Sequence, residues 1–211
     1  MSDYDPDEGT ARADLSRFLS ACYYEPGAEF AEEHLFDSML VAATRLDPGL
    51  ADCARRLGEA FLAKDLQALL VDYTRLFIGP IDALAKPYER SWVKAPAPTE
   101  DYPLPAVLAV YGEGGFDVDP DLMELPDHVA LELEFLYLLI FNRNQAIQAG
   151  KTAEAAAMAA LQQRFLSRHL CAWIEPFASA VAANAGTAFY RELAAFTERF
   201  VRMQSDAAPV H

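Results

Sequence analysis

The chain has 211 residues, of which 17 are lysine or arginine and 32 aspartate or glutamate, for a formal net charge of -15 at pH 7. So acidic a balance opposes binding to a nucleic-acid backbone or an anionic membrane surface, and it attracts a basic peptide or a cationic patch on another protein. With 53% hydrophobic residues the chain can bury one full core, so one domain is expected.

Residues 1–9 are acidic and small and read as a flexible tail. They lack the basic start and apolar run of a secretory signal, and no later stretch reaches the ~20 apolar residues of a membrane span. A cytoplasmic protein with no integral membrane segment is expected. Cys22, Cys53 and Cys171 are odd in number and far apart, which gives neither a disulfide framework nor a metal or redox motif.

From residue 10 the apolar positions recur at helical spacing. Leu15, Phe18, Leu19 and Cys22 share one face of a first helix that Pro26-Gly27 ends; further helices are expected over 30–46, 50–63 and 65–77. In the last of these Leu69, Tyr73, Leu76 and Phe77 face one way before Gly79-Pro80 stops the helix. Six of the thirteen prolines then fall in 79–105, which predicts a long irregular connection, ordered by Tyr88, Trp92, Val93 and Tyr102 packing against the helices.

After it come a short helix from 105 to 111, broken by Gly112-Glu113-Gly114-Gly115, and a longer one to about 150, for which Asp127 reads as the N-cap. Leu166, Leu170, Trp173, Phe177 and Val181 stripe a helix over 152–181, and Tyr190, Leu193, Phe196, Thr197 and Phe200 stripe the last. No segment alternates over strand length. The expected fold is all-α: a single irregular bundle of seven to nine helices with a long proline-rich connection, over 10–204, followed by a flexible tail at 205–211.

Residues 113–134 hold eight carboxylates and no lysine or arginine, a pattern shared by a solvated face and a cation-binding rim. Inside this run His128 and Glu132 stand one helical turn apart, the spacing of a shared metal or proton. A metal-dependent hydrolase using that pair is one reading, but no HExxH and no cysteine cluster supplies further ligands. No nucleophile elbow or nucleotide loop is present, so no catalytic residue, metal site or cofactor is assigned.

Several motifs, in order, resemble the TorD/DmsD/NarJ family of redox-enzyme maturation chaperones: Tyr73-Thr74-Arg75-Leu76-Phe77-Ile78-Gly79-Pro80, Pro87-Tyr88-Glu89, Tyr111-Gly112-Glu113-Gly114-Gly115-Phe116, and Pro126-Asp127-His128 with Glu132 and Phe135 after it. Phe165-Leu166-Ser167-Arg168-His169-Leu170 and Phe189-Tyr190-Arg191-Glu192-Leu193 are similar to its C-terminal pattern. The resemblance implies a cytoplasmic all-helical chaperone without enzymatic activity. Its partners would be the twin-arginine leader of a molybdenum-cofactor oxidoreductase and the apo catalytic subunit itself, held back from export until the cofactor is inserted. One branch of the family serves nitrate reductases that are not exported, and members occur as monomers or helix-exchanged dimers.

The resemblance places the peptide site at Asp127 and His128, with Tyr73, Phe77, Tyr88 and Trp92 as neighbours. A leader with a basic start and an apolar middle suits carboxylates beside an aromatic groove. Glu124, Asp127 and Glu132 are therefore expected to face its arginines, and Leu76, Phe77, Tyr88 and Trp92 to line the groove. One departure stands out: Arg90 occupies the place where the family pattern has serine, and Ser91 is displaced by one.

Overall fold

The structure, a computed structural model of the chain, describes residues 5–79, 82–93, 104–118 and 124–206. Among them ten α-helices form: α1 (Pro6–Ala21), α2 (Glu29–Glu32), α3 (Leu35–Leu46), α4 (Pro48–Leu62), α5 (Leu66–Tyr73), α6 (Leu104–Glu113), α7 (Val129–Gln148), α8 (Thr152–Arg168), α9 (Leu170–Asn184) and α10 (Ala188–Asp206). No strand occurs among the described residues. The all-α expectation is met, with more helices than the sequence pattern resolves.

Local chemistry sets the starts of these helices. The carboxylates of Asp5, Asp47 and Asp65 accept the amides of Asp7, Leu50 and Ala68 at 2.9, 3.0 and 2.7 Å, supplying partners that a helix start otherwise lacks. Pro6 and Pro48 follow two of these caps, where a missing N–H costs nothing. As a result α1 begins inside the expected 1–9 tail, with Gly9 buried. At the other end α10 runs to Asp206, past the expected boundary at 204.

α1 lies along α7, and the buried hydroxyls of Ser16 and Ser20 donate to the carbonyls of Leu133 and Ala130 at 2.8 and 2.9 Å. α3 and α4 form a hairpin so close that a Cβ on Gly58 would meet Phe36 Cβ at 3.0 Å. α10 packs on α4, α8 and α9, and its Phe189 joins Phe36 and Phe61 in an aromatic cluster. A second cluster, Tyr111, Phe135 and Phe165, ties α6 to α7 and α8. Each such ring contributes about 1.5–3 kcal/mol by burial.

Two departures from regular helix position the site. α5 passes into a π-helical turn, Thr74–Ile78, which Gly79 closes by donating to the Thr74 carbonyl at 2.6 Å. Gly79 has φ 67° and ψ 148°, a conformation open to glycine, and a Cβ there would sit 2.4 Å from the Asp82 carbonyl. Pro80, the other half of the expected stop, lies outside the described residues, as do 94–103 with Tyr102.

The second departure divides the expected 152–181 helix. The apolar stripe continues unbroken, but His169 takes φ -120° and ψ -96° between α8 and α9. The break lets its Nδ1 approach the Glu89 carboxylate at 3.1 Å. Buried Asp72, from α5, accepts the amides of Gly186 and Thr187 at 3.0 and 2.7 Å and the Thr187 hydroxyl at 2.8 Å, so it caps the start of α10.

Candidate functional site

The irregular connection is zipped onto the segment before α7. The Val129 amide donates to the Pro87 carbonyl at 2.8 Å and the Glu89 amide to the Asp127 carbonyl at 2.9 Å, so Tyr88 and His128 face each other in an isolated antiparallel bridge. A 3-10 turn, Glu89–Ser91, follows. These backbone bonds bring Tyr88, Asp127 and His128 together.

Around the bridge the polar groups interlock. The Tyr88 hydroxyl donates to Glu124 Oε2 at 2.9 Å, and its ring meets the His128 imidazole edge-on at 5.2 Å. Tyr24 stacks on the same imidazole at 6.1 Å and donates to Glu134 Oε1 at 3.1 Å. Burial, then Glu124 and Glu25, push the Tyr73 hydroxyl up to about 12, and burial first of all raises Tyr24 and Tyr88 as well, so all three tyrosines stay neutral.

His128, not Asp127, caps α7: its Nδ1 accepts the Ala130 amide at 3.2 Å. Burial pushes the imidazole down to about 4, against the upward pull of Glu124 and Asp127. It is therefore neutral at pH 7, and with Nδ1 an acceptor the proton sits on Nε2, 3.9 Å from Glu124 Oε2.

Asp127 has another role than the one expected of it. The carboxylate is fully buried and accepts Arg90 Nε and Nη2 at 2.8 Å each and the Arg90 amide at 3.1 Å. The arginine that displaces the family serine thus fills the carboxylate expected to meet a leader. Glu132 is also fully buried, with Oε2 accepting Trp173 Nε1 at 3.1 Å, and it forms no part of a rim.

Leu76 and Phe77 belong to the core rather than to a groove wall. Both point inward from the π-helical turn, and Phe77 packs on Tyr23, Tyr73 and Tyr190. Trp92 is half-buried against Phe177 at 6.2 Å, and its indole N–H donates to the Lys86 carbonyl at 2.8 Å. The hydrolase pair separates as well, because His128 faces Tyr88 and Glu124 while Glu132 faces Trp173. No group of three His, Cys, Asp or Glu side chains able to hold a metal occurs among the described residues.

Among the described residues of the acid run, all the carboxylates but exposed Asp117 have partners. Glu113 pairs with Arg164, Asp127 with Arg90, Glu124 with Tyr88, and Glu134 with Tyr24 and Ser20, so its partners come from distant segments; residues 119–123 of the run lie outside the described residues. Still open to a partner are Tyr88, Glu124 and Glu25, with Leu84 and Leu125 exposed on the two zipped segments. Sequence reasoning missed Tyr24, Glu25 and the buried set Glu89, His169 and Trp173 around Glu132. Glu89 and His169 carried a signal, since each stands inside a motif that resembles the family pattern.

The fold and this face define an all-α protein whose distinctive surface is an irregular segment fastened across a helix start. The chain belongs to the nitrate reductase delta subunit family, whose family model matches residues 43–179. The resemblance to the TorD/DmsD/NarJ chaperones is thereby borne out. A TorD chaperone protein of Shewanella loihica is 27% identical, over 93% of this chain and 92% of that one. A chlorate reductase assembly chaperone protein of Ideonella dechloratans is 34% identical over 60% of this chain and 66% of its own length. A selenate reductase assembly chaperone protein of Thauera selenatis is 38% identical over 35% and 37%. Among solved structures, a protein assigned as a redox enzyme maturation protein from Archaeoglobus fulgidus shares the fold, with a TM-score of 0.56, 18% identity, and coverage of 90% of this chain and 93% of that one.

Proposed function

We propose that this chain is a cytoplasmic, non-enzymatic chaperone for the catalytic subunit of a molybdenum-cofactor oxidoreductase. It holds the apo subunit, through the basic and apolar leader at its start, until the cofactor is in place. The observation that carries this reading is the zipped bridge, which sets Tyr88 and Glu124 beside a neutral His128, with Glu25 and Leu125 exposed on the flanking segments. Glu124, already oriented by the Tyr88 hydroxyl, suits an incoming guanidinium, and the exposed leucines suit the apolar stretch after it. Arginine recognition thus rests on Glu124 and Glu25, since Asp127 is taken by Arg90.

Calorimetric titration with a synthetic twin-arginine leader peptide tests this. Glu124→Gln with Tyr88→Phe is expected to weaken binding by about tenfold or more, near 1.4 kcal/mol, and added salt to weaken it further. Unchanged affinity in the double variant removes the assignment of this face. If the leader does not bind while the leaderless subunit does, the reading moves to the family branch whose clients are not exported.

A further inference from the structure

A buried acid cluster that leader binding does not use underlies the zipped segment. Glu89, on the 3-10 turn, is fully buried, as are Glu132 of α7 and Trp173 of α9; His169, at the α8–α9 break, is nearly so. Trp173 Nε1 donates to Glu132 Oε2 and His169 Nδ1 lies 3.1 Å from Glu89 Oε2, but Glu132 Oε1, equally buried, has no hydrogen-bond partner. An ionised carboxylate does not leave a buried oxygen without a donor. A proton on that oxygen would give it a bond to donate, and Glu89 is the strongest charge acting on it.

The geometry points to a proton-dependent latch: one proton held between Glu132 and Glu89 keeps the Glu89 side chain docked in the helical core, and its loss expels that side chain, while the Arg90–Asp127 fork and the Tyr88–His128 bridge still hold the segment. With the proton in place the pair bears one negative charge, faced by His169. Without it, two anions share a dry site, and Glu89, which stands on a loop rather than a helix, is the one that can leave.

The groups facing Glu132 agree with this. The connection contributes Glu89, and Asp127, itself neutralised by Arg90; α6 contributes Tyr111, whose hydroxyl donates to the Pro126 carbonyl; the α8–α9 region contributes His169 and Cys171. None is a cation aimed at Glu132. Burial and then Glu89 push its carboxyl well above the usual range. A carboxyl raised in this way contributes docking stability in full below its free value, and that stability is lost as pH rises through the docked value. The latch is therefore closed in acid and opens toward alkaline pH. This inference does not depend on the identity of any client.

Indole fluorescence of the full chain, followed from about pH 5 to about pH 9, reads the latch, because Trp173 bonds Glu132 and the Trp92 amide bonds the Glu89 carbonyl. A reversible transition is expected with helical circular dichroism unchanged, and Glu132→Gln, neutral at every pH, should abolish it. The same transition in Glu132→Gln, or its loss in His169→Gln alone, would assign the change elsewhere and overturn the proposal. Carboxyl 13C resonances of the unaltered chain give a check that needs no variant. One glutamate is expected to titrate far above the rest; if all titrate below about pH 5, no such proton exists and the latch is refuted.

Discussion

Arg90→Ala, Asp127→Ala and their combination test whether the fork between these residues holds the connection in place. Asp127 is fully buried and has three donors, two from the Arg90 guanidinium and one from the Arg90 amide. Removing the guanidinium leaves a buried carboxylate with one amide. Breaking a buried pair from one side costs about 3–5 kcal/mol, but the Arg90 side chain is 34% exposed, so water can enter and the cost falls to about 2–3 kcal/mol. For a chain of this size that lowers the melting temperature by about 5–10 °C. Urea unfolding of the three variants followed by circular dichroism gives the cycle, with an expected coupling near 2 kcal/mol. Single variants within about 0.5 kcal/mol of the parent whose effects simply add would show a solvated surface pair instead, and the account of Asp127 as a structural anchor would be wrong.

Other substitutions probe the rest of the frame. Asp72→Ala removes the acceptor for the Gly186 and Thr187 amides and the Thr187 hydroxyl. It should cost about 2 kcal/mol in chemical denaturation, with Asp72→Asn milder. Gly79→Ala forces a Cβ to 2.4 Å from the Asp82 carbonyl at a φ of 67°, and a loss of about 2 kcal/mol or more is expected by thermal melting. For His128 the folded value is about 4 against 6.5 for the free imidazole, so the unfolded chain binds the proton first. Stability present above pH 6.5 is lost as pH falls toward 4, by up to about 3 kcal/mol. His128→Asn, which retains a capping side chain but does not titrate, should show correspondingly less acid loss in urea unfolding at about pH 7 and about pH 4.

The all-helical fold was legible because Leu69, Tyr73 and Leu76, or Tyr190, Leu193 and Phe200, recur at a spacing that only a helix turns to one side. The His169 break was not legible, since the stripe from Leu166 to Val181 continues through it and the partner of His169, Glu89, lies far away in sequence. Capping was read one residue off: aspartate is the commoner cap, but Asp127 bonds Arg90, and His128 takes the amide instead. Motif order brought Tyr88 and His128 to one site, and the structure does place them together. Composition could not separate buried Glu132 from partly open Glu124, because burial of a carboxylate depends on a partner such as Trp173 that only the folded chain supplies.

The Asp72 bonds to the start of α10 have a consequence for the protein's own synthesis. α4 offers its apolar face to α10, and α10 gains its cap from α5, so an early and a late part of the chain complete each other. While the ribosome is still making the middle helices, α4 has no lid and Asp72 no amides to receive. That part of the domain therefore closes only once α10 has emerged, and a chain stopped before Ala188 leaves the apolar face of α4 and the carboxylate of Asp72 uncovered.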